Sequence, residues 1–93
     1  MKKLIYVEKD RVNGGDEFDG LVTFDKEEAI SFAERDWEHL TNSERKTHQI
    51  SVAAFNVEVN EGESAKAAYT RLLEDDDSSI YNWDVVWESD KEN

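Results

Sequence analysis

Twenty-three aspartates and glutamates against eleven lysines and arginines, with two histidines and no cysteine, bound the chemistry open to this 93-residue chain. A hydrolytic nucleophile needs a serine or cysteine within reach of a histidine that a third group orients. His39 and His48 sit in no such motif, and both flank the turn after the longest helical segment, where a solvated surface histidine is expected. Beside Glu38 and Glu44 they do not form a recognised metal-ligand spacing, and no thiolate is present to help. Asp75, Asp77 and Ser79 imitate the first three alternating ligands of a calcium loop, but Ile80 occupies the required glycine position and Val86 that of the bidentate glutamate. The Gly14–Gly15 pair lacks the spaced glycines, the lysine and the following helix of a phosphate loop. Carboxylate pairs for glycoside chemistry are plentiful by count, yet a chain of this size has little room for a sugar cleft. The expectation is a protein with no catalytic activity, no cofactor and no metal.

What remains is charge. The net charge is −12, and residues 61–93 carry the excess, with ten acids against three bases. Such a balance disfavours direct contact with nucleic acid or an anionic membrane. Acidity alone also keeps proteins soluble, so a recognition role needs acids placed in a pattern. Two groups qualify: Glu27, Glu34 and Glu38, which share one side of a helix with Ser31, and Asp75, Asp76 and Asp77, which follow a second helix at the negative end of its dipole. These six are the candidate partner-binding residues.

The elements that must position them follow from periodicity. The segment 24–40 reads as a helix, with Asp25 as N-cap and Glu28 three residues on in the capping-box position. Ala29, Ile30, Ala33, Trp37 and Leu40 form its apolar stripe, with Phe32 at the edge. Thr41 and Glu44 repeat the capping-box spacing and predict a brief helical turn, in which Arg45 and Lys46 balance charge. Residues 64–74 give another helix through Ala65, Ala68, Tyr69, Leu72 and Leu73. Strands are expected over 3–9, 21–24, 49–59 and 80–88, with residues 10–20 as loop and hairpin tip. The apolar parity changes near Ala53 and Ala54, which implies a bulge or a strand covered on both faces. In the last strand Tyr81, Trp83, Val85 and Trp87 fall on one face. Those aromatics could stack bases, but their acidic neighbours favour a core role.

The order β-β-α-β-α-β predicts an α+β fold: a small, mostly antiparallel sheet of about four strands with helices packed on one face. Residues 1–88 form a single domain and 89–93 a frayed tail. The apolar run Leu4–Val7 is too short for a signal sequence, nothing approaches a membrane span, and the lack of cysteine fits a cytoplasmic location.

The segment FDKEEAISFAERDWEHLTNSERK, with the terminal NWDVVWES, resembles small uncharacterised proteins carried by phages and mobile elements of Gram-positive bacteria. That resemblance implies a setting in which small acidic proteins bind and inhibit host proteins, CRISPR nucleases among them, at sites meant for nucleic acid. It brings no catalytic residues with it. The expected function is therefore an acidic, anti-CRISPR-like inhibitor, monomer or homodimer, whose carboxylates replace phosphates in the basic groove of a nucleic-acid-binding host defence protein. Trp37 and Trp83 would act as structural anchors. The alternative is a small accessory module that docks or dimerises through a free sheet face or an edge strand, its acidity serving solubility only.

Overall fold

The computed structural model describes residues 1–12, 15–18 and 20–89. Asn13, Gly14 and Asp19, from the loop and hairpin tip expected over residues 10–20, and the tail residues 90–93 lie outside them. Five strands, β1 (Lys2–Val12), β2 (Gly15–Glu17), β3 (Val22–Thr23), β4 (His48–Glu58) and β5 (Trp83–Glu88), form one open antiparallel sheet in the order β2-β1-β4-β5, with β3 also paired to β1. The helices are α1 (Lys26–His39), α2 (Asn42–Arg45) and α3 (Ala65–Glu74), and a 3-10 turn spans Ser78–Tyr81. The α+β class and the antiparallel sheet are as the sequence predicts.

β1 and β4 are the frame, paired over their whole length from Lys2↔Glu58 to Val12↔His48 without a register break. Both strands are apolar at consecutive positions, and a strand of that kind needs cover on both sides. It receives it. Ile5, Val7, Ala53, Phe55 and Val57 pack with Ala65, Ala68, Tyr69 and Leu72 of α3. Tyr6, Ile50, Val52 and Ala54 pack with Ala29 and Ala33 of α1 on the other face. The expectation that helices share one face is thus corrected: α1 and α3 sandwich the sheet, because alternation along β1 and β4 sends successive apolar side chains to opposite sides. Each such large side chain contributes about 1.5–3 kcal/mol on burial.

The sheet also gains a strand. β2 lies within the stretch read as loop; its three residues pair with Asp10, Arg11 and Val12. Three exposed residues carry no alternation that could reveal a strand. Of the two causes offered for the parity change in β4, cover on both faces is the one that applies: β4 itself runs against β1 without a bulge, and the register shift between Val52 and Ala53 lies in its pairing with β5. The extra residue belongs to β5, where Val85 opposes Ala53 and Trp87 opposes Val52. That shift splits the aromatic row: Trp83 joins the α3-side core and Trp87 the α1-side core. Tyr81 sits outside β5 in the 3-10 turn, 68% exposed. No common stacking platform exists among them. Ser89, assigned to the tail, is buried and tied to Ile50, whose N–H donates to its Oγ at 3.0 Å.

Candidate partner-binding surface

α1 presents the first group of acids, and its start is built in layers. The Asp25 carboxylate accepts from the N–H groups of Glu27 (3.0 Å) and Glu28 (3.3 Å), satisfying two of the helix's open donors. The reciprocal half of the expected capping box is absent: Asp25 N–H donates to Thr23 Oγ1 at 3.1 Å, and Thr23 in turn donates to Glu28 Oε1 at 2.6 Å. Thr23 thus intervenes between the cap and Glu28. The second box is complete, with Thr41 N–H donating to Glu44 Oε1 and Glu44 N–H to Thr41 Oγ1. Hydrogen bonding from Thr41, its backbone N–H foremost, holds the Glu44 carboxyl below its ordinary range.

At the other end of α1, Arg45 donates through Nε (3.2 Å) and a terminal nitrogen (3.0 Å) to the carbonyl of Trp37 and lies 4.9 Å from the centre of its ring. The guanidinium therefore caps the negative end of the helix as well as balancing charge. His39 Nδ1 donates to the Arg35 carbonyl at 2.7 Å. Between these ends Ala29 and Ala33 are fully buried, and Ile30, Trp37 and Leu40 are packed against the same cluster. Glu27, Glu34 and Glu38 consequently point away from the sheet, and all three are exposed. Among the described residues none of the three forms an ion pair or a side-chain hydrogen bond. Helical rise places Glu34 and Glu38 about 6 Å apart along the axis and Glu27 and Glu34 about 10 Å apart.

The second group sits on the opposite face of the sheet and is bound into the fold. Asp76 has φ 55°, in the left-handed region, and its N–H donates to Leu73 O while Asp77 N–H donates to Leu72 O. This pattern closes α3 with a Schellman motif in which aspartate stands where glycine is usual. Tyr81 OH donates to Asp76 Oδ1 at 3.1 Å, and that bond raises the phenol above its ordinary range. Asp77 O then accepts from Ile80 N–H to start the 3-10 turn. Of the three acids, Asp75 and Asp76 are exposed and Asp77 is half-buried. The structure therefore does not bring Glu27, Glu34 and Glu38 together with Asp75, Asp76 and Asp77; a whole sheet separates them.

A further set of acids escapes sequence reasoning. Glu8, Asp10 and Asp36 line a cavity of about 360 Å³ with Gly20, Phe32, Leu40 and Ile50, between α1 and the sheet. Glu8 is buried, and Gly20 passes so close over it that an added methyl would overlap the Glu8 side chain. His48 Nδ1 lies 3.3 Å from Asp10 Oδ2, so this histidine is half-buried and cross-strand paired rather than solvated. The available signal was period two: Glu8 and Asp10 share the parity of Tyr6 in a strand whose both faces are covered. On the α3 side Lys9 is also buried, 4.4 Å from the centre of the Trp83 ring and 3.8 Å from Asp16. Hydrogen bonding from Arg11, with Lys9 adding to it, holds the Asp16 carboxyl below its ordinary value. No group of three or more metal-ligating side chains with suitable geometry occurs among the described residues, and no helix there is long and apolar enough to cross a membrane.

Comparison with protein-family models, with curated proteins and with solved structures returned no match.

Proposed function

We propose that this protein is an acidic inhibitor that works by binding: the outward side of α1 enters the basic groove of a nucleic-acid-binding host defence protein and takes the place of phosphates there, as an anti-CRISPR-like protein would. One observation carries the reading. Glu27, Glu34 and Glu38 are exposed, aligned on a capped helix and unpaired by any base among the described residues. A rigid row of carboxylates spends no partner-binding energy on breaking internal ion pairs, and its spacing of about 6–10 Å is of the scale of a phosphate backbone, though sparser than duplex DNA. The net charge of −12 would steer a basic partner toward the molecule. Asp75 is the member of the second group best placed to add to a contact, on its own face.

The test is capture from a bacterial lysate on the immobilised protein, eluted with rising salt and separately with competing DNA or RNA. The expected result is one nucleic-acid-binding protein, released by both, and lost when Glu34→Lys and Glu38→Lys are combined. Retention of that protein by the double variant would remove α1 from the reading. A salt-resistant partner without a nucleic-acid site would replace mimicry with the accessory-module reading, for which the open edge of the sheet is the available route.

A further inference from the structure

We propose that the outer edge of β5 is a strand-addition site for an extended segment of a partner that alternates basic and apolar residues. β5 ends the sheet, and among the described residues no strand covers its far side. The backbone direction follows from the antiparallel register. Val59 N–H donates to Met1 O, so in steps of two the odd residues of β4 bond to β1 and the even ones turn to β5. Ile50 confirms the phase, donating to Ser89 Oγ and accepting from Ser89 N–H at 2.8 Å. Asp84 and Trp87, opposite Ala54 and Val52, therefore spend their backbone groups on β4, whereas Trp83 and Val85 aim theirs outward.

The side chains beside that edge set the occupant's chemistry. Asp84 is exposed on the α1 side of the sheet and unpaired among the described residues, and Val85, 41% exposed, lies on the α3 side. An incoming strand would set a lysine or arginine beside Asp84 and an aliphatic residue beside Val85, which is a period of two. A second copy of this chain fits poorly, since it brings another −12 charges and another Asp84 to the seam. The site is separate from the glutamates of α1 and stands whether or not those act as phosphate mimics.

The test is amide hydrogen exchange by NMR with an end-capped peptide of alternating lysine and valine, against its glutamate–valine counterpart. The lysine peptide slows exchange at Trp83 and Val85 by about tenfold or more, leaves the already bonded Asp84 and Trp87 amides unchanged, and the acidic peptide has no effect. Asp84→Lys abolishes the slowing, as does Val85→Pro, whose missing N–H is one that β4 does not use; if the proline variant fails to fold, Asp84→Lys decides alone. Combining Glu34→Lys with Glu38→Lys leaves it intact. Unchanged exchange at Trp83 and Val85, equal slowing by the acidic peptide, or loss in the α1 double variant would overturn the proposal. So would slowing that grows with protein concentration in the absence of peptide, which would make a second copy the occupant.

Discussion

Glu63 shows how far a single half-buried carboxylate can be shifted here. Arg71 grips it with two nitrogens, at 2.8 and 2.9 Å, and the Asn60 N–H donates to the same carboxylate at 3.0 Å. Arg71 foremost, then Asn60, hold its carboxyl down from 4.5 to about 2. A depressed carboxylate contributes stability that is complete above its unfolded value and is lost as pH falls through the folded one. Native protein should therefore lose urea resistance between about pH 4.5 and pH 2 more steeply than Glu63→Gln, measured as the shift of the unfolding midpoint with pH. Parallel profiles would assign the acid sensitivity elsewhere, to Asp16, Glu44 or Glu58, whose carboxyls are also lowered. Asp76 poses the opposite case, a negative charge at the negative end of α3. Asp76→Asn keeps a left-handed-tolerant residue and an oxygen for Tyr81 OH, so it should stabilise by about 0.3–1 kcal/mol at low salt. A lower melting temperature for Asp76→Asn would show that the charge itself holds Tyr81.

At the scale of elements, α1 depends on a residue from the next turn. Removing the Arg45 side chain strips a charge-assisted pair of hydrogen bonds from the Trp37 carbonyl and a cation from its ring, so Arg45→Ala should cost about 1–2 kcal/mol in chemical unfolding. Arg45→Lys should recover less than half of that, because an ammonium cannot make the forked contact; full recovery would reduce Arg45 to a point charge. The sequence assigns Arg45 only to charge balance, because the carbonyl it caps lies eight residues away across a turn. α1, α3 and the caps Asp25 and Thr41 are legible because their signals are local: a stripe at helical spacing and a cap within three residues. The β1–β4 pair is legible from its apolar runs. What these runs could not say is which helix covers which face, since Ile5 and Tyr6 look alike until the chain closes. The bulge at Val86 is likewise invisible in WDVVWE, and it alone sends Trp83 and Trp87 to opposite cores. The candidate site divides in the same way. Outward glutamates on a helix follow from helical phase, whereas the meeting of Glu8, Asp10 and Asp36 at one cavity needs β1 and α1 in contact.

For the molecule as a whole, the sandwich turns one acidic chain into two acidic sides. The glutamates of α1 and the aspartates after α3 lie on opposite faces of the β1–β4 pair, with a helix layer on each. Layers in such packing are about 10 Å apart, which exceeds the screening length of about 8 Å at physiological salt. A partner groove that takes α1 thus gains little from Asp75, Asp76 and Asp77, although both sets add equally to the net charge. Charge alone would predict equal losses from two variants that each remove three acids. Geometry predicts unequal ones. Glu27→Gln, Glu34→Gln and Glu38→Gln together should weaken salt-sensitive partner binding by about tenfold or more and flatten its dependence on ionic strength, while Asp75→Asn, Asp76→Asn and Asp77→Asn together should stay within about threefold of the native affinity. Titration calorimetry at two salt concentrations measures both. Equal losses in the two triple variants would mean that the partner responds to total charge, and the row on α1 would then have no privileged part in recognition.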